Sequence, residues 1–169
     1  YKPKATSAGI IFSSISSIFF AFNNFYLPLI AFPLSIIGFI DDYKGLAAFK
    51  RFIAQLITVS ILYFISPLFS TFLNLNFIAL FIISFLLIIL FVGIINFINF
   101  MDGIDGLVAS SMIIYLFSIC LFINTSYSIL LSSLIGFLFF NWPPAKLFMG
   151  DSGSTYLGAI IVLGINSSS

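Results

Sequence analysis

The sequence predicts an all-α protein, a polytopic bundle of transmembrane helices. Hydrophobic residues make up 62% of the chain and charged residues 7%, and the mean hydropathy is +1.26, which leaves too little polar surface to cover a water-soluble globule. Several apolar runs are long enough to cross a bilayer as helices. The alternation of apolar and polar residues that a membrane barrel requires is missing. We expect a single membrane domain over residues 1–169, truncated at both ends.

The apolar runs define about six complete helices and part of a seventh. They cover residues 10–22, 25–40, 52–73, 77–95, 107–123 and 127–140, and the last begins near Tyr156. Pro67 lies within the third run, where it predicts a kink because proline removes a backbone hydrogen bond.

Composition excludes several kinds of site. The chain has no histidine and one cysteine, Cys120, which excludes a His/Cys zinc site, a Cys-His dyad and an internal disulfide. The net charge of +1 argues against nucleic-acid binding, which needs a basic surface to meet phosphates.

The connections between the runs are of two kinds. Residues 23–24, 74–76 and 124–126 form short uncharged connections, whereas the charges fall in residues 2–4, 41–51, 96–106 and 141–154. Consecutive charged connections are separated by two crossings, so all of them emerge on one side of the membrane. The basic residues assign that side to the cytoplasm; they are Lys2, Lys4, Lys44, Lys50, Arg51 and Lys146. We therefore expect a multi-pass protein of the inner (plasma) membrane.

All five acidic residues are aspartates, and they stand in three glycine-containing clusters: Asp41 and Asp42 in GFIDDYKGL, Asp102 and Asp105 in NFINFMDGIDGL, and Asp151 in FMGDSGS. Carboxylates that converge on one patch repel each other unless cations neutralise them. Oxygen ligands favour Mg²⁺ or Mn²⁺, and Mg²⁺ usually fills its coordination sphere with water and substrate phosphate oxygens. The clusters therefore predict a metal-assisted site for a phosphorylated substrate.

The spacing within the clusters predicts which side chains act together. Asp102 and Asp105 are three residues apart and would share one face of a helix. Asn96 and Asn99 extend the same step, placing their oxygens in line with Asp102. Asp41 and Asp42 are adjacent and would point about 100° apart on a helix, which predicts different roles.

Each cluster also has a structural explanation that the sequence leaves open. Asp151 could simply cap the helix that follows it. Asp41 and Asp42 could be a solvated loop start. Asn96 and Asn99 could be hydrogen-bond partners between helices, and each Lys or Arg could be an anchor at the membrane interface.

Together, GFIDDYKGL, NFINFMDGIDGL and PPAKLFMGDSGSTYLG resemble the three main cytoplasmic motifs of the polyprenyl-phosphate N-acetylhexosamine-1-phosphate transferases, which are glycosyltransferase 4-like membrane enzymes. The similarity covers nearly the whole chain. It implies an Mg²⁺-dependent enzyme of cell-envelope polysaccharide synthesis. A polyprenyl (undecaprenyl) phosphate attacks a UDP-N-acetylhexosamine, giving polyprenyl-diphospho-sugar and UMP.

The resemblance also implies site residues. Asp41 and Asp42 match the catalytic pair, and the choice between a direct and a covalent mechanism stays open. Arg51 matches the basic residue that follows the pair, with Lys50 as the alternative. The remaining matches are Asn99 and Asp151 as metal ligands, Asn96, Asp102, Gly103 and Asp105 in the nucleotide-sugar pocket, and Phe148 as the aromatic that stacks on uracil.

The chain also departs from the family. Its first loop is reduced to KPKATSAG, and the later basic loop of the family lies beyond Ser169, so an inactive membrane fragment is one alternative. A cation-coupled transporter is another. FMDGIDGL and NWPPAKLFMGDSGS resemble the GlcNAc or O-antigen branch more than the peptidoglycan branch, and a homodimer is one candidate assembly.

Overall fold

The computed structural model describes residues 6–167, and none of these residues forms a β-strand. The fold is a bundle of helices, as predicted. The α-helices are α1 Gly9–Phe22, α2 Phe32–Lys44, α3 Ala48–Phe64, α4 Pro67–Thr71, α5 Phe77–Met101, α6 Leu107–Phe122, α7 Ser128–Asn141 and α8 Gly150–Ser167, with 3-10 helices Leu27–Ala31 and Thr125–Tyr127. Lys2 and Lys4, which belong to the first predicted charged connection, lie outside the described residues.

Helix α8 lies at the centre of the bundle and packs against α1, α2, α3 and α5. Tyr156, Leu157 and Ile160 are completely buried in its middle. Glycines allow the closest approaches, because a Cβ at Gly38 of α2 would lie 2.5 Å from the Asp151 carbonyl oxygen. The sequence placed the start of this last apolar run near Tyr156, whereas the helix begins at Gly150 and so includes Asp151.

Two of the predicted continuous helices are interrupted at prolines. Helix α3 ends at Phe64, and α4 begins at Pro67 after Ser66, whose side chain accepts a hydrogen bond from the Phe69 amide. The expected kink at Pro67 is therefore wrong: proline starts a new helix, where its missing N–H costs nothing. The second run is likewise divided between a 3-10 helix and α2.

Helix α5 is the one described helix that is both long enough and apolar enough to cross a membrane, with 25 residues. Helices α1 and α6 are apolar but shorter, with 14 and 16 residues. The helical class is thus established, whereas the number of membrane crossings stays a prediction.

Candidate active site

Arg51 joins two of the three acidic clusters. Its Nη1 donates to Asp41 Oδ2 at 2.7 Å and to Asp151 Oδ2 at 2.6 Å. The contact follows from the local fold: Gly45 ends α2 with a φ of +66°, so that α3 starts at Ala48 and returns Arg51 to the end of α2. The Leu46 amide donates a hydrogen bond to the other carboxylate oxygen of Asp41, Oδ1.

Asp42 has entirely different partners from its neighbour, as the 100° rotation predicted. Its carboxylate accepts hydrogen bonds from the amides of Asp151 at 2.9 Å and Ser152 at 3.3 Å. These amides are in the first turn of α8, where helices favour a negative charge. Asp42, in α2, therefore caps the N-terminus of α8. The carboxylate of Asp151 does not cap its own helix and instead accepts a hydrogen bond from Arg51. Neither aspartate of the pair is a merely solvated loop residue.

Asp102 adds a fourth carboxylate, at the end of α5. Burial, together with the negative charges of Asp151 and Asp42, raises the pKa of Asp102 to about 7, against the opposing effect of a hydrogen bond with the Gly150 backbone. Burial and a hydrogen bond with Asp41 also raise the pKa of Asp151. Burial acts to raise the pKa of Asp41, but hydrogen bonds with Asp151, Leu46 and Arg51 hold it below its ordinary value. The site therefore has more carboxylate charge than Arg51 neutralises.

The prediction that Asp102 and Asp105 share a helix face is wrong. Helix α5 ends at Met101, with Asp102 as its C-cap residue, and α6 begins only at Leu107. Gly106 has a φ of +74°, which glycine adopts readily and which turns the chain between the helices. The carboxylate of Asp105 consequently accepts a hydrogen bond from the Ala145 amide at 2.9 Å, away from the other acids.

A cavity of about 430 Å³ lies between α3 and α5, beside Arg51 and the carboxylates that it binds. Its lining includes Arg51, Gln55, Asn96 and Asn99, with Phe52 and Phe100. Asn96 and Asn99 are helical, as predicted. Asn96 pairs with Gln55 across the two helices, so the explanation of Asn96 as an interhelical hydrogen-bond partner is confirmed.

Three further residues were predicted for the site: Lys50, Gly103 and Phe148. Lys50 has an exposed side chain, so Arg51 is the basic residue that meets the carboxylates. Gly103 is exposed in the turn after α5. Phe148 is half-buried just before α8, and its carbonyl oxygen accepts from the Ala8 amide at 3.0 Å.

Comparison with known proteins identifies the family of the chain. The family model described as "Glycosyl transferase family 4" matches residues 24–167, a range that includes all three motifs. The chain belongs to glycosyl transferase family 4. The resemblance seen in the motifs is thereby confirmed.

Among its relatives are proteins named phospho-N-acetylmuramoyl-pentapeptide-transferase. The chain is 36% identical over 180 residues to that of Staphylococcus haemolyticus (strain JCSC1435), covering 89% of this chain and 56% of the relative. It is 36% identical over 146 residues to that of Streptococcus mutans serotype c (strain ATCC 700610 / UA159), covering 74% of this chain and 43% of the relative. The chain thus spans about half the length of these curated relatives.

Two residues that support the site in this family member were missed by sequence reasoning. Gln55 is the only glutamine in the chain and stands in an apolar run, a signal that could have drawn attention to it. Buried Asn141 accepts from the Gly106 amide at 3.0 Å and donates to the Leu147 carbonyl at 2.9 Å. It ties the turn after Asp102 to the segment before Asp151.

The donor atoms fit a divalent metal in chemistry and charge. Within residues 6–167, no three Asp, Glu, His or Cys side chains are grouped closely enough to form a ready-made metal site. Mg²⁺, however, commonly binds proteins through one or two carboxylates and takes its other ligands from water and phosphate. Burial raises the pKa of Asp102, and the negative charges of Asp151 and Asp42 raise it further; this surplus of negative charge is the feature that favours such an ion.

Proposed function

We propose that the protein containing this chain transfers a sugar-1-phosphate from a UDP-N-acetylhexosamine to a membrane polyprenyl phosphate, of the undecaprenyl type, and releases UMP. The observation that carries the proposal is the meeting of Asp41 and Asp151 at Arg51, 2.7 and 2.6 Å from its Nη1, with Asp42 holding the same turn of α8. The names of the family relatives support transfer of a phospho-sugar.

The proposal places the protein in the inner (plasma) membrane with this site facing the cytoplasm. Helix α5 has the length and composition of a membrane span. The described Lys and Arg residues all fall within residues 41–51 and 141–154, segments that an even number of crossings would bring to one side, and an excess of such residues is typical of the cytoplasmic side. A lipid phosphate at that interface and a soluble UDP-sugar could then meet at the acidic cluster.

In the proposed reaction, an oxygen of the lipid phosphate attacks the phosphorus that bears the sugar. The bond from that phosphorus to the bridging oxygen breaks, and UMP leaves with the electron pair. Arg51 would stabilise the charge of the diphosphate, with Asp41 orienting its guanidinium. Asp42 would fix the first turn of α8, and Asp102, with a pKa of about 7, is able to exchange a proton near neutral pH.

Asn99 and Asp151 are the proposed metal ligands. Bound Mg²⁺, or Mn²⁺ with the same preference for oxygen, would neutralise phosphate charge at this position. Phe148 is proposed to stack on uracil, and Lys50 and Gly103 to contact the substrate. Asp105 and Asn96 would shape the pocket through the protein groups that they hold in place.

The sugar is proposed only as an N-acetylhexosamine. The relatives carry the name of the peptidoglycan branch, which points to N-acetylmuramoyl-pentapeptide as the attached sugar. The residues of the second and third motifs, FMDGIDGL and NWPPAKLFMGDSGS, favour N-acetylglucosamine instead. A panel of both UDP-sugars distinguishes these donors.

The test measures UMP release by the full-length protein in detergent with polyprenyl phosphate and Mg²⁺. Asp42→Asn and Asp151→Asn should lower turnover at least ~100-fold, because the first weakens the cap that fixes the start of α8 and the second removes a proposed metal ligand. Asn74→Ala, in an uncharged connection at the other end of the helices, is the matched control and should keep parental turnover. Normal turnover in both aspartate variants would refute the assignment. Ion accumulation in liposomes without UMP formation would support the transporter instead.

A further inference from the structure

Gln55 of α3 and Asn96 of α5 form a reciprocal pair of side-chain amides. The Asn96 Nδ2 donates to Gln55 Oε1 at 2.8 Å, and the Gln55 Nε2 donates to Asn96 Oδ1 at 3.2 Å. Gln55 is 4% exposed, so its amide depends on this partner. The two hydrogen bonds join helices that are separated by 41 positions in the chain.

The pair leaves Asn96 with no N–H to offer a ligand. Its Nδ2 also donates to the Val92 carbonyl oxygen at 3.0 Å, so both of the amide hydrogens are used inside the protein. A substrate could bind these hydrogens only by breaking a bond that the fold already makes. The position of Asn96 in the cavity wall therefore has an explanation other than direct recognition.

The pair lies about one helical turn from Arg51 on α3 and from Asn99 on α5, and all four residues line the same cavity. On α3, Gln55 is four residues after Arg51, which is about one helical turn. On α5, Asn96 is three residues before Asn99, on the same face. Because Arg51 and Asn99 line the same cavity as the pair, the spacing between α3 and α5 at the pair determines how far apart these two side chains stand.

We infer that Gln55 and Asn96 are positioning residues, which set the distance between the Arg51 and Asn99 side chains across the cavity. The role of those two groups in phosphate and metal binding rests on the proposed function, but the distance itself does not. The pair acts through Arg51 and Asn99 and not by contact with the substrate. Loss of the pair should therefore lower kcat and leave the KM for UDP-sugar nearly unchanged.

The experiment compares four forms of the full-length protein: the parent, Asn96→Leu, Gln55→Leu with Asn96→Leu, and the exchange Gln55→Asn with Asn96→Gln. The single variant leaves the buried amide of Gln55 unpaired and should lower Tm. The double leucine variant removes both polar groups and should recover Tm, since a pair replaced by apolar groups can be nearly neutral. Both leucine variants should lose kcat by about 10- to 100-fold, because misplacement of about 1 Å can cost that much. The exchange variant, which restores two amides, should regain most of kcat.

A second measurement, the distance between two spin labels, does not depend on enzymatic activity. Ala48→Cys and Phe100→Cys, on opposite walls of the cavity, carry spin labels in a Cys120→Ser background. The distance distribution between the labels should be narrow in the parent and the exchange variant and broader or shifted in both leucine variants.

Two results would overturn the inference: parental kcat in the double leucine variant once its Tm recovers, or an unchanged label distance in every variant. If the parent itself releases no UMP, the proposed function fails, and the label distances still decide whether the pair positions the two helices.

Discussion

At the scale of single residues, the adjacent aspartates Asp41 and Asp42 show that neighbouring residues of one helix can have different functions. Asp41 meets Arg51 within its own segment of the chain, whereas Asp42 reaches the amides of α8, 109 and 110 positions away. Asp41 therefore orients the Arg51 guanidinium, and Asp42 fixes the position of the first turn of α8. Substituting either residue should disturb the site for a different physical reason.

Asp102 gives a prediction about pH at this scale. Its ordinary pKa of 3.8 is raised to about 7 in the folded protein, chiefly by burial and then by Asp151 and Asp42. Between these values the folded state holds a proton that the unfolded state has lost, so stability should fall as pH rises from about 4 through about 7. Asp102→Asn cannot ionise and should remove this part of the dependence.

The measurement is Tm in detergent with a chelator, from pH 5 to pH 8. The parent should lose several degrees more than Asp102→Asn over this range, since ~1 kcal/mol corresponds to about 2–4 °C in a protein of this size. Equal slopes for the two proteins would contradict the assignment of the raised pKa to Asp102.

At the scale of elements, α8 connects the core to the site. Its middle is buried on all sides, and its first turn supplies Asp151 and the amides that Asp42 caps. The close approach of α2 depends on Gly38, where a Cβ would lie 2.5 Å from the Ser152 nitrogen. Packing of these two helices and the geometry of the acids are therefore coupled.

Gly38→Ala should separate α2 from α8 and destabilise the protein by about 1–3 kcal/mol, the usual cost of overpacking. UMP release should fall with it, because Asp42 moves away from the amides of α8. Gly136→Ala on α7 is the matched control: a Cβ there meets no atom within 4 Å, and alanine is the better helix former. Thermal unfolding and UMP release are compared for both variants. A stable, active Gly38→Ala protein would show that the helices have room to adjust.

At the scale of the whole molecule, the distribution of charge predicts an orientation in the membrane. The described connections that contain charge all lie at the ends of helices shared with the acidic cluster, and the uncharged ones lie at the opposite ends. In a bilayer this arrangement predicts a cytoplasmic side and an outer side.

Cysteine labelling tests that orientation in cells, in a Cys120→Ser background. Lys44→Cys and Lys146→Cys are exposed positions that a membrane-impermeant maleimide should modify only after permeabilisation. Asn74→Cys and Ser126→Cys, in the uncharged connections, should react in intact cells. Reaction of all four in intact cells, or of the two pairs in the reverse order, would exclude the proposed topology.

The helical class, the three acidic motifs and the family could all be predicted from the sequence. These follow from hydropathy and from the spacing of neighbouring residues, which are local properties of the chain. The sequence also predicted that Asp41 and Asp42 differ, because the rotation between adjacent residues of a helix is fixed. It did not give the breaks at the prolines or the turn after Met101, where the chain leaves the helix although the residue pattern continues.

The contacts between side chains of different helices could not be predicted and are known only from the fold. Arg51 reaches Asp151 across 100 positions, Asp105 turns to the Ala145 amide, and Gln55 pairs with Asn96. Each of these contacts depends on how helices pack, and that packing is set by glycines and buried apolar side chains on other elements. The residue pattern of one segment does not specify its distance from another segment, so these partners could be identified only in the folded protein.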